Sequence, residues 1–123
     1  MNAYQISIPL GYQPVWVSTT EKSQNGTGIL NNEGSVEAPV TITIRGPVTN
    51  PLVVVGGSTL SYTGSLTSAD VLVIDTESLT ARFNEYNALA HYSGGFPRLQ
   101  PGDTTVTAAA SGTTTFTWRD RWI

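Results

Sequence analysis

The sequence predicts an all-β domain built as an antiparallel β-sandwich, and three observations carry that reading. Threonine and serine supply 18 and 11 of the 123 residues, and glycine 12. That mixture favours strands and turns, because Thr is β-branched while Ser and Gly punctuate the chain. From Ala38 onward, apolar residues alternate with hydroxyl residues at the period of two that a half-buried strand requires. Turn signals recur about every 8 to 12 residues, the spacing of many short strands rather than of a parallel sheet.

The length suits one domain, with about two thirds of the unfolded chain's surface available for burial. There is no cysteine, so disulfide frameworks, cysteine zinc sites, iron–sulfur clusters and thiol nucleophiles are excluded. Charged residues make up 12% of the chain, about half the usual share, so hydroxyls supply the polar surface. Net charge is −3, and Lys22, Arg45, Arg82, Arg98, Arg119 and Arg121 are scattered rather than striped. Nucleic-acid binders show a basic patch instead. No apolar run approaches the roughly 18 to 20 residues that span a bilayer. Met1 to Pro9 lack the basic and apolar regions of a signal peptide. The expectation is a soluble chain made in the cytoplasm, with no nucleic-acid and no membrane partner. The sequon Asn25-Gly26-Thr27 then reads as a bare loop.

Residues 1–17 read as an extended arm with one or two short strands. Ile6 and Ile8 alternate with polar neighbours, Val15-Trp16-Val17 follows Pro14, and Pro9, Gly11 and Pro14 break regular structure. Residues 18–37, rich in Ser, Thr, Asn and Gly, read as a loop-rich connection to a sandwich over residues 38–123. There Val40, Ile42 and Ile44 share one face, with Thr41, Thr43 and Arg45 on the other. Gly46-Pro47 and Asn50-Pro51 bracket a turn before the apolar strand Leu52–Val55, which Gly56-Gly57 ends. Leu60 and Tyr62 alternate with hydroxyls, and a loop around Ser65–Asp70 leads into Val71–Ile74. Asp75–Ser78 reads as a hairpin turn into a strand where Leu79, Ala81 and Phe83 alternate. Leu79, Phe83, Tyr86 and Leu89 or Ala90 also fit a helical face. Few β-branched residues lie between Glu85 and His91, which predicts one short helix near residues 85–91. Thr105–Ala108 and Thr115–Trp118 flank Ser111-Gly112 as a second hairpin, with Val106, Ala108, Phe116 and Trp118 on one face and threonines on the other.

The residues that carry chemistry are sparse. His91 is the only histidine, and no Gly-x-Ser-x-Gly elbow surrounds any serine. Asp75 and Glu77 are two apart, but in a turn solvent leaves both ionised, which does not suit glycoside hydrolysis. There is no phosphate loop, no Asp-x-Asp-x-Asp-Gly loop and no His pair. Neither catalytic activity nor a cofactor is expected, with a discontinuous loop-bridging calcium as the one alternative for metal. Aromatic rings offer stacking platforms for sugars. Of these, Trp118 is in the core phase and Trp122 caps the sandwich edge, leaving Trp16, Tyr86, His91 and Tyr92 as candidate carbohydrate or partner contacts.

Five pieces then follow in order: Asn32-Glu33-Gly34, Ala38 to Pro51, Asp70 to Thr76, Leu99 to Val106, and Thr117 to Ile123. Together they resemble the C-terminal domain of distal tail proteins and related minor tail proteins of long-tailed bacteriophages. The resemblance implies a jelly-roll, galectin-like sandwich carried outside a hexameric ring at the tail tip, with Leu99 plugging the core beside the Pro101-Gly102 turn. Two departures stand out. Asn84-Glu85 occupies a place where the family often has Asn-Gly, and residues 1–17 are too small to stand for the family's ring-building N-terminal domain. The chain therefore reads as an excised domain or a small stand-alone tail component.

The function this implies is structural: a virion protein of the tail, assembled in the host bacterial cytoplasm. It docks neighbouring tail proteins (tail tube, tail hub or receptor-binding protein), as a homo-hexamer in the assembled tail. The alternative is a carbohydrate-binding module that aids adsorption to host cell-wall polysaccharide.

Overall fold

The computed structural model describes residues 3–5, as backbone, and residues 15–123. The alternation at Ile6 and Ile8 and the breaks at Pro9, Gly11 and Pro14 lie outside the described residues. Two antiparallel sheets face each other. One has six strands, in the order β12 (Tyr86–Asn87), β11 (Thr80–Phe83), β10 (Val71–Asp75), β5 (Val40–Arg45), β15 (Thr113–Trp118) and β3 (Lys22–Asn25). The other has five, in the order β13 (Tyr92–Ser93), β8 (Ser58–Tyr62), β7 (Leu52–Val55), β14 (Gly102–Thr107) and β4 (Gly28–Asn32).

The alternation expected from Ala38 onward explains the core. Ile42, Ile44, Leu72, Ile74 and Phe116 project inward from the six-stranded sheet, and Leu30, Val53, Leu60 and Val106 from the five-stranded one, all essentially solvent-free. Each such side chain contributes about 1.5–3 kcal/mol on burial. Leu99 plugs this core from a loop and exchanges two backbone hydrogen bonds of 2.8 Å with Ala38.

Several expectations are revised. Residues 18–37 are not loop throughout: β3 and β4 lie there and form the matching edges of the two sheets. An edge strand with one solvent-facing flank tolerates hydroxyl and amide side chains, so it lacks the apolar alternation that reveals inner strands. The late hairpin does not exist either. β14 pairs with β4 and β7, whereas β15 pairs with β3 and β5. The chain leaves the β14 ladder where the Ala108 amide donates to Thr27 Oγ1 (3.0 Å) and the Ala109 amide to Thr114 Oγ1 (3.2 Å). It arches to the opposite sheet, so Val106 and Phe116 enter the core from different layers. Thr114 accordingly points inward, and Ala108 is only half-buried.

The short helix expected near residues 85–91 is confined to a 3₁₀ turn, Leu89–His91. Tyr86–Asn87 is instead extended and pairs back on Phe83 and Arg82. The cause is a tight turn in which Asn84 (φ 47) and Glu85 (φ 74) both lie in the left-handed region. Leu79, at φ 58, belongs to the turn after β10 and is 54% exposed rather than alternating inward with Ala81. Between Gly46-Pro47 and Asn50-Pro51 lies a two-residue strand, β6 (Val48–Thr49), paired with β9 (Ser65–Leu66), where only turn and loop were expected.

A three-stranded sheet completes the molecule, with β1 (Ala3–Gln5) and β16 (Arg121–Trp122) flanking β2 (Trp16–Ser18). It is anchored where the Ser18 amide donates to the Asp120 carbonyl at 2.9 Å and the Ser35 amide to the Arg121 carbonyl at 2.9 Å. Gly34 lets the latter contact form, since a Cβ there would fall 1.9 Å from the Arg121 carbonyl oxygen.

Two stability changes follow from these turns. Glu85→Gly removes the cost of a side chain at positive φ and raises unfolding stability by about 1 kcal/mol in urea titration. Gly34→Ala forces the backbone off Arg121 and lowers stability by about 1–3 kcal/mol in the same assay.

Candidate functional site

The four candidate contact residues do not form one site. Tyr86, His91 and Tyr92 lie on consecutive elements, β12, the 3₁₀ turn and β13, which cross from one sheet to the other along a single edge. Trp16 belongs to the three-stranded sheet, where it pairs with Trp122. That sheet adjoins the Val40–Trp118–Lys22 end of the six-stranded sheet. Tyr86 instead continues the Phe83–Leu72–Ile44 row toward the other end.

At the shared edge, packing accounts for much of the aromatic content. Tyr62 stacks on Phe83 with centroids 5.9 Å apart and meets the edge of His91 at 6.3 Å. Tyr92 packs against Phe96 at 5.2 Å, and its hydroxyl donates to the Gly95 carbonyl. Burial pushes the Tyr92 phenol up to about 12 from its ordinary 10.0. Tyr86, by contrast, is 78% exposed on the edge strand, and His91 is exposed at the end of the turn. These two are the side chains of the group that present themselves to an outside molecule.

A second feature was not foreseen. A polar cleft of about 160 Å³ opens where the three-stranded sheet meets the outer face of the six-stranded one, lined by Glu21, Asp75, Glu77, Arg119, Arg121 and Thr117 among others. The acidic pair weighed in the sequence lies here, already engaged. Asp75 Oδ1 accepts the amides of Glu77 (2.9 Å) and Ser78 (3.4 Å), and Glu77 Oε2 takes Arg121 Nη2 at 2.5 Å. Arg119 donates to the Ser18 carbonyl at 3.3 Å. These contacts tie the three-stranded sheet to the six-stranded one. Only chain folding brings residues 77 and 121 into contact, so no local motif announced it.

A shallow groove of about 400 Å³ lies between Val48–Leu52 and Thr107–Ser111, with no charged residue in its lining. In the turn before β10, Asp70 accepts the Thr67 amide (2.7 Å), the Asn84 side-chain amide (2.7 Å) and the Thr67 hydroxyl (3.0 Å), which lower its pKa. Among the described residues, no cluster of three or more His, Cys, Asp or Glu is placed to hold a metal ion. No helix of the described residues is long and apolar enough to cross a membrane.

With this geometry, comparison with known proteins is informative. Residues 33–122 match the model of a siphovirus-type tail component, C-terminal domain. The chain belongs to the siphovirus-type tail component family. Its fold is similar to the crystal structure of SPP1 Dit (gp 19.1), described there as a paradigm of hub adsorption apparatus in phages infecting Gram-positive hosts. The TM-score is 0.76 at 11% identity, covering 89% of this chain and 49% of that one. This tail component chain thus spans about half the length of that relative. No curated protein matches the sequence. The matched region starts at Glu33 and takes in both central strands β5 and β15, the Leu99 plug and Trp122. The ordered motifs of the sequence therefore carried real family information.

Tyr92 titration gives a test of its packing. A folded pKa above the unfolded value means that its contribution to stability is complete below pH 10 and is lost as pH rises toward 12. Urea midpoints measured across that range fall, and Tyr92→Phe flattens the decline.

Proposed function

We propose that this chain is a structural element of a phage tail tip that docks neighbouring tail proteins. The observation that carries the reading is the family match over residues 33–122, to which the shared fold with a hub protein adds support. The surface suits packed assembly: with 12% charged residues, little charge has to be desolvated when faces meet. In this reading the protein resides in the virion tail and is assembled in the host cytoplasm. The sandwich is a galectin-like one presented in six copies around the tail axis, and its partners are the tail tube, the tail hub or a receptor-binding protein. Its role is not enzymatic, since Asp75 caps a turn and Glu77 is held by Arg121.

A second reading, adsorption to host wall polysaccharide, draws on one observation: Tyr86 is largely exposed on an edge strand, and His91 is exposed in the turn that follows. A tyrosine face of this kind packs on the apolar face of a sugar.

Antibody labelling of intact particles tests the first reading: label gathers at the tail end, and its absence from the tail removes the proposal. For the second, Tyr86→Ala weakens pull-down by host wall polysaccharide several-fold, the worth of about 1 kcal/mol of stacking, while leaving thermal unfolding unchanged. Wild-type protein that binds no host polysaccharide eliminates it.

A further inference from the structure

Lys22, Asp120 and Glu33 come together where the first strand of the sandwich meets the turn after its last. Lys22 opens β3, opposite Trp118 at the end of β15, and Asp120 follows that strand by two residues. Lys22 Nζ lies 2.7 Å from Asp120 Oδ2 and 3.6 Å from Glu33 Oε1, and donates to the Asn31 carbonyl at 3.2 Å. The Asp120 side chain is 4% exposed and that of Lys22 28%. Asp120 Oδ1 is buried without a hydrogen-bond partner among the described residues. An ion pair that satisfies one oxygen of a buried carboxylate and strands the other is an incomplete solution.

We propose that Lys22 and Asp120 condense into an intramolecular amide, with Glu33 as the proton carrier. Across the 2.7 Å contact the ammonium first passes a proton to the carboxylate, leaving an amine and a carboxylic acid. The amine nitrogen adds to Asp120 Cγ. Glu33 takes a second proton from that nitrogen and returns it to the departing hydroxyl. The C–O bond breaks, one water leaves, and the third proton stays on the new amide. Atoms and charge balance with no oxidant, reductant or activating group. The product also answers the buried oxygen problem. One acceptor departs with the water, and the amide N–H keeps the Asn31 carbonyl as its acceptor. Proximity supplies the drive, since two groups held in contact react as if at very high concentration. The bond ties the first sandwich strand to the segment that follows the last.

Intact mass of the folded, purified chain under denaturing conditions decides the matter. The expected result is a chain lighter by one water, with a proteolytic fragment in which the peptides containing Lys22 and Asp120 are joined. Lys22→Arg keeps the ion pair but presents no condensable amine, and returns the full mass. Glu33→Gln leaves a mixture in which the uncross-linked form predominates. Wild-type protein at full mass, with Lys22 open to acylation after unfolding, overturns the proposal and leaves an ordinary ion pair. So does a water loss that persists in Lys22→Arg.

Discussion

Asn32 holds three stretches of main chain at once. Its side chain is almost wholly buried, donates to the carbonyls of Val36 (3.0 Å) and Leu99 (3.1 Å), and accepts the Gly34 amide (2.9 Å). A buried amide costs free energy unless paired, and this one is paired on both its nitrogen and its oxygen. Its bonds set where β4 ends and where the chain crosses toward β5. They also seat Leu99, which exchanges hydrogen bonds with Ala38 just before β5 begins. Were Asn32 replaced by an apolar residue, these carbonyls and the Gly34 amide would lose their partner together. The cross-over and the seating of the plug rest on one side chain.

Charge is used sparingly and mostly at one end. Among the described residues, Lys22 pairs with Asp120 and Glu33, Arg121 with Glu77, and Arg98 with Glu37. The outer face of the six-stranded sheet carries Thr41, Thr43, Thr115 and Thr117 in adjacent strands, with Arg45, Asp75 and Arg82 around them. The threonine band is polar enough to remain in water and carries no charge of its own. It is a physical counterpart to the composition, which places so much hydroxyl and so little charge in one chain.

Legibility in the sequence follows burial. β5 and β15 are readable because one flank of each is solvent-free and the other is not, so alternation survives in the residue types, whereas β10 is readable as the continuous apolar run Val71 to Ile74. β3 and β4 are obscure because an edge strand such as Lys22–Asn25 presents no apolar member. β14 and β15 are each readable as strands, yet their partnership is not, since periodicity reports a strand's faces and not its neighbours. The same limit applies to the site. Tyr86, His91 and Tyr92 are close in sequence and their shared edge could be anticipated. The contact of Glu77 with Arg121 joins residues far apart in the chain, and nothing local marks it. Asn84-Glu85 is obscure for a different reason: without glycine, nothing in the sequence marks the tight turn, and the segment also fits a helical face.

The small sheet in which β1 and β16 flank β2 has a mechanical meaning. The first described strand and the last both belong to it, so it closes one corner of the sandwich like a clasp. Tension applied at the two ends is borne first by the few hydrogen bonds of this clasp and by the Lys22–Asp120 contact behind it. The core strands stay out of the load path until the clasp gives way.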